Sequence, residues 1–142
     1  MRALGLRTST RRSTNDRRRT VQASILVVED NPFVLDSTAL ALEHLGHEVR
    51  LASHGTEALN ILDEIESIDL VLADVKLPGE LNGLEVAREV QKRYPEAKIL
   101  LASAYQRDEL ISAGKVDEGM AFLTKPFSVD DLEREIQRLL AG

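Results

Sequence analysis

Five short apolar runs, each followed by a polar residue and separated by segments of helical period, decide what this 142-residue chain can fold into. They are Ser24–Val28 (SILVV), Glu48–Ala52 (EVRLA), Asp69–Ala73 (DLVLA), Lys98–Ala102 (KILLA) and Met120–Thr124 (MAFLT). The first, third and fourth are nearly unbroken apolar stretches, the pattern of parallel strands covered on both faces. Between them, Phe33, Val34, Leu35, Ala39, Leu40, Leu42 and Leu45 recur at helical spacing up to Gly46, which stands where a helix C′ glycine belongs. Further helices are predicted over Thr56–Ile65, over Asn82–Tyr94 with Leu84, Val86, Ala87 and Val90 inward, and over Ser128–Leu140. In the last, Val129, Leu132, Ile136, Leu139 and Leu140 form the stripe, and Ser128 with Asp131 gives a capping pattern. Alternating strands and helices predict an α/β fold, a doubly wound five-stranded parallel sheet with right-handed crossovers.

Composition removes several chemistries. The absence of Cys excludes disulfides, thiol nucleophiles and Cys-held zinc. Without Trp, and with aromatics at 4%, a base-stacking surface is not expected. The longest apolar run is four residues, so no membrane-spanning helix is expected. The net charge of −6 conceals a split. Residues 1–23 carry seven arginines (Arg2, Arg7, Arg11, Arg12, Arg17, Arg18, Arg19) against Asp16 alone, while residues 24–142 carry 11 Lys and Arg against 23 Asp and Glu. The first segment lacks apolar patterning and reads as a disordered basic arm, with residues 24–142 as the folded domain. An export signal of the twin-arginine kind would need a longer apolar stretch after it than SILVV. A transit peptide, or an arm that meets phosphates, shares the composition.

In a parallel α/β sheet, ligands bind beyond the carboxyl ends of the strands. There the sequence places Glu29 and Asp30 after the first strand, Asp74 after the third, Ser103 after the fourth and Lys125 after the fifth. Two carboxylates about 4 Å apart repel by roughly 4 kcal/mol at an effective dielectric near 20. Such a trio therefore calls for compensating positive charge. Lys125 supplies one charge, and a hard divalent cation held by oxygen atoms, Mg²⁺, suits the rest. A hydroxyl and an ammonium facing that cation suit a phosphoryl group.

Over about 117 of its residues, Ser24 to Leu140, the chain resembles the response-regulator receiver domains of bacterial two-component signalling. The resemblance rests on VVEDNP with Glu29 and Asp30, LADVKLPG with Asp74, LLASAY with Ser103 and LTKPF with Lys125, with 22 residues from Ser103 to Lys125. It implies a flavodoxin-like strand order of 2-1-3-4-5 and a stand-alone phosphorelay switch in the cytoplasm, not an enzyme acting on another substrate. Asp74 would accept a phosphoryl group from a histidine kinase or histidine phosphotransfer protein. Asp30, Asp74 and the backbone carbonyl of Lys76 would ligate Mg²⁺, Glu29 would act through a metal-bound water, and Ser103 and Lys125 would contact the phosphoryl group. Phe122 aligns with the family's switch aromatic. Output would pass to a downstream protein, since only one helix follows Lys125 and no DNA-binding domain is expected.

Gly114 and Gly119 interrupt the helical pattern after Ile111, so the fourth helix is expected to be short or irregular. Tyr105, two residues after Ser103, is expected to shield the phosphoryl group from water and slow its loss. His44, His47 and His54 read as surface or boundary residues. A module that binds partners without phosphorylation is the alternative function. An aspartate-nucleophile phosphatase would need a second Asp two residues after the first, where this chain has Pro32. A nucleotide or flavin site would need a glycine-rich loop after the first strand, which this chain lacks.

Overall fold

The computed structural model describes residues 21–117 and 119–142. Five strands alternate with five helices: β1 (Ser24–Val28), α1 (Pro32–His44), β2 (Glu48–Ala52), α2 (Gly55–Asp63), β3 (Leu70–Asp74), α3 (Gly83–Arg93), β4 (Lys98–Ser103), α4 (Arg107–Ser112), β5 (Ala121–Thr124) and α5 (Val129–Ala141). The sheet is parallel throughout, in the order β2-β1-β3-β4-β5. This is the doubly wound, flavodoxin-like order expected. The third strand begins one residue later than predicted and ends on Asp74; the fifth also begins one residue later.

Two apolar layers explain the unbroken central strands. Leu26, Val28, Val71, Ala73 and Leu101 enter one core with Ala58 and Leu62 of α2 and Val86, Ala87 and Val90 of α3. Their strand neighbours Ile25, Val27, Leu70, Leu72 and Leu100 enter the other with Leu35 and Leu42 of α1 and Leu132 and Ile136 of α5. Successive side chains point to opposite faces, so a strand covered on both sides must be apolar at every position.

The helix ends follow local chemistry. The Asn31 side chain accepts from the N–H groups of Phe33 and Val34, and Pro32 opens α1 where no amide donor is needed. At its end, Gly46 N–H donates to the Glu43 carbonyl and His47 N–H to that of Leu42, with Gly46 at φ +99°. This Schellman closure confirms the expected C′ glycine. Asn82 and Glu85 form a reciprocal capping box on α3. Ser128 Oγ accepts from Asp131 N–H at the start of α5. The fourth helix is short, as expected, at six residues, and Gly114 at φ +73° follows its end.

Some expectations fail. Phe33 and Leu40 are 80% and 67% exposed, because the inward stripe of α1 is Leu35, Ala39 and Leu42, at i, i+4 and i+7. Val129 is likewise exposed at the first position of α5. His47 is buried, its side chain enclosed between the segment preceding β1 and Glu133 of α5. His54 instead caps α2, its Nδ1 accepting from Glu57 N–H. Of the basic arm, residues 1–20 lie outside the described residues. Val21 and Ala23 are hydrogen bonded to Gln137 and His47.

Candidate functional site at the carboxyl edge of the sheet

The ends of β1, β3, β4 and β5 bring the expected residues to one edge. Glu29 follows β1 and is buried, with its Oε2 accepting from Asn31 N–H at 3.1 Å. Asp30, beside it, is exposed. Asp74 closes β3, its carboxylate largely covered, and its Oδ1 accepts from Lys76 N–H at 3.1 Å. One carboxylate oxygen from each of Glu29, Asp30 and Asp74 lies within 4.8 Å of the others.

Lys125, one residue past β5, reaches across this group. Its Nζ donates to Glu29 Oε1 at 2.5 Å and to Asp74 Oδ2 at 2.9 Å. Burial is the largest single influence on the ammonium and works against its charge. Hydrogen bonds and charges from Glu29 and Asp74 together outweigh that and hold its pKa above the ordinary lysine value. Lys125 N–H also donates to the Ser103 carbonyl at 2.7 Å, fixing the loop after β5 to the end of β4. The Lys125–Pro126 peptide bond is cis.

Register places the hydroxyl. Asp74 pairs with Ala102, so Ser103 lies one step beyond it on the adjacent strand. Ser103 is buried, and its Oγ accepts from Tyr105 N–H at 3.1 Å, leaving its own proton to donate elsewhere.

A family model described as "Response regulator receiver domain" matches residues 25–137. The chain belongs to this family. The sensor kinase CckA of Brucella abortus is 34% identical over 119 residues, which are 83% of this chain and 12% of CckA. The probable transcriptional regulatory protein TcrX of Mycobacterium tuberculosis is 30% identical over 117 residues, 82% of this chain and 49% of TcrX. The chain thus spans about half or less of these two relatives. Among solved structures, the response regulator TrrA of Thermotoga maritima, crystallised in complex with Mg²⁺-BeF, is 36% identical with a TM-score of 0.70. That match covers 84% of this chain and all of TrrA's.

In this receiver domain Lys76 and Tyr105 follow the same strand ends, and Phe122 lies within β5. Phe122 pairs with Leu101, and Leu101 shares a sheet face with Ser103, two residues on. Phe122 is partly buried and packs on the core beneath α2 and α3. Tyr105 is 46% exposed and lies under the Lys76 ammonium, 4.0 Å from its ring centroid. Lys76 and Tyr105 thus meet across the loops that follow β3 and β4.

Gly83 was not singled out from the sequence. A Cβ there would stand 2.2 Å from the Asp74 carbonyl oxygen and 2.8 Å from Val75 Cα, so α3 can begin against the end of β3 only with glycine. Gly83 N–H donates to the Val75 carbonyl at 2.9 Å. The signal available was a glycine directly after the Asn82 cap, with Glu85 completing the box. Among the described residues, no helix is long and apolar enough to cross a membrane.

Proposed function

We propose that the protein is a phosphoacceptor switch of a two-component phosphorelay, with Asp74 as the acceptor. The observation that carries this is the arrangement around Asp74. One carboxylate oxygen is held by Lys76 N–H and the other by Lys125, with Glu29 and Asp30 alongside. The donor is a phosphohistidine on a histidine kinase or histidine phosphotransfer protein. An Asp74 carboxylate oxygen attacks the phosphorus, the P–N bond breaks and the imidazole leaves, giving an aspartyl phosphate.

The donor set fits Mg²⁺. It is all oxygen, carboxylate-rich and open on the side of exposed Asp30. Asp30, Asp74 and the Lys76 carbonyl would hold the ion, and Glu29 would act through a bound water. When bound, Mg²⁺ supplies positive charge to the phosphoryl oxygens. The chain's own groups do the rest. Lys125 pairs with a phosphoryl oxygen, and Ser103 donates its free hydroxyl proton to another. The same proton, drawn toward the phosphoryl group, links the acceptor to the face that carries Phe122, which serves as the switch aromatic. Tyr105, held by Lys76, covers the phosphoryl group against water. The changed surface then meets a downstream protein, and the chemistry the chain performs is confined to its own Asp74.

The test is to incubate the protein with Mg²⁺ and a small acyl phosphate and to record the intact mass. An increase of about 80 Da, one phosphoryl group, is expected for the wild type and none for Asp74→Asn. Labelling that persists in Asp74→Asn overturns the assignment, and an unlabelled wild type favours binding without phosphorylation.

A further inference from the structure

His47 takes no part in the acceptor site, yet its side chain is 0% exposed and bonded at both nitrogens. Nδ1 lies 3.1 Å from the Ala23 amide nitrogen. A backbone amide only donates, so Nδ1 carries a lone pair and the ring proton sits on Nε2. Nε2 lies 2.9 Å from Glu133 Oε1 and donates to it. Glu133 Oε2 accepts from Gln137 Nε2 at 3.0 Å. Gln137 in turn grips Val21 with both ends of its amide, accepting from Val21 N–H at 2.8 Å and donating to its carbonyl at 2.9 Å. The segment 21–23, where the seven-arginine sequence joins the body, is thus tied to α5 through one imidazole and one amide.

We infer that His47 is a proton-operated latch that fastens the root of the N-terminal segment to α5 when neutral and releases Ala23 when charged. A second proton can enter the ring only at Nδ1. There it meets the Ala23 N–H, donor against donor, and the hydrogen bond is lost. The ring has no room to evade this, being fully enclosed, and turning over would forfeit Glu133.

The surrounding charges act in the same direction. Among the described residues, Glu133 of α5 is the one charged side chain bonded to the ring. On α1, Glu43 and His44 are exposed, as is Glu48 on β2. Asp69, before β3, is engaged by Ser24 N–H and Oγ, and Arg134 of α5 by Asp131. A charged ring is therefore drawn to Glu133, on the side away from Ala23.

The test uses the ¹⁵N-labelled full chain. At pH 7.5, long-range imidazole correlations should report the Nε2–H tautomer of His47. As the pH is lowered from 7.5, the hydrogen-exchange protection factor of the Ala23 amide should fall about tenfold in step with charging of the His47 ring, read from its imidazole nitrogens, while amides in β3 and β4 keep theirs. In His47→Gln, whose side chain accepts and donates without titrating, Ala23 protection should not depend on pH. The latch is overturned by an Nδ1–H tautomer at pH 7.5, by Ala23 protection that persists while the ring charges, by a ring that stays neutral until the whole domain unfolds, or by the same loss in a folded His47→Gln. Should that variant not fold, the wild-type tautomer and Ala23 protection decide alone.

Discussion

Lys125 Nζ stands 2.9 Å from Asp74 Oδ2 while also holding Glu29, so one ammonium restrains two of the three clustered carboxylates. Lys125→Gln leaves those charges facing one another. The Lys125 side chain is 23% exposed, which discounts the cost of a fully buried broken pair to about 1–3 kcal/mol. Urea unfolding without Mg²⁺ should show that loss, and added Mg²⁺ should restore part of it by binding only the folded state.

The same contact carries a pH signature. The folded-state pKa of Lys125 is raised, so its contribution is complete below the unfolded lysine value of about 10.4 and is lost as pH rises through the folded value. The stability gap between wild type and Lys125→Gln should be flat from about pH 7 to 10 and narrow above it. A gap that widens on alkalinisation contradicts the arrangement.

Gly83→Ala places a methyl group against the Asp74 carbonyl. Overpacking of this kind costs typically 1–3 kcal/mol, and here the backbone that yields is that of Asp74. Denaturant unfolding should show a loss of that order. Phosphodonor labelling of the variant, under conditions where it stays folded, should be slower than in the wild type.

Tyr105→Ala should shorten the phosphoryl lifetime, and Lys76→Ala should do so more weakly. The cation–π contact between Lys76 and Tyr105 is half-exposed and worth about 0.5–1 kcal/mol, so if it holds the ring as proposed, removing Lys76 should accelerate dephosphorylation by about two- to fivefold. Decay of the labelled mass over time measures both. Unchanged lifetimes in both variants remove Tyr105 from the account.

The fold was legible where one local rule decided it. β1, β3 and β4 read as covered on both faces because nearly every position is apolar, and Gly46 marked the end of α1 because only a left-handed residue closes a Schellman turn. The gathering of Glu29, Asp30, Asp74 and Lys125 at one edge was legible because strand ends in a parallel sheet share one side. What was missed depends on partners far along the chain. His47 is buried by Ala23 and by Glu133, 24 and 86 residues away, and nothing in its neighbours signals that. Phe33 and Leu40 fit a helical spacing, but the stripe that turns inward is chosen by the sheet beneath α1. Gly83 is required by the approach of α3 to β3, which no local pattern states.

The central claim is that the phosphoryl group resides on Asp74, and its location is the most direct test. An acyl phosphate is reduced by borohydride, converting the modified aspartate to homoserine, which peptide mass spectrometry locates. After labelling with Mg²⁺ and a small acyl phosphate, the account predicts homoserine at position 74 and aspartate retained at Asp30. Homoserine at Asp30, or at any acid outside this edge, would contradict it.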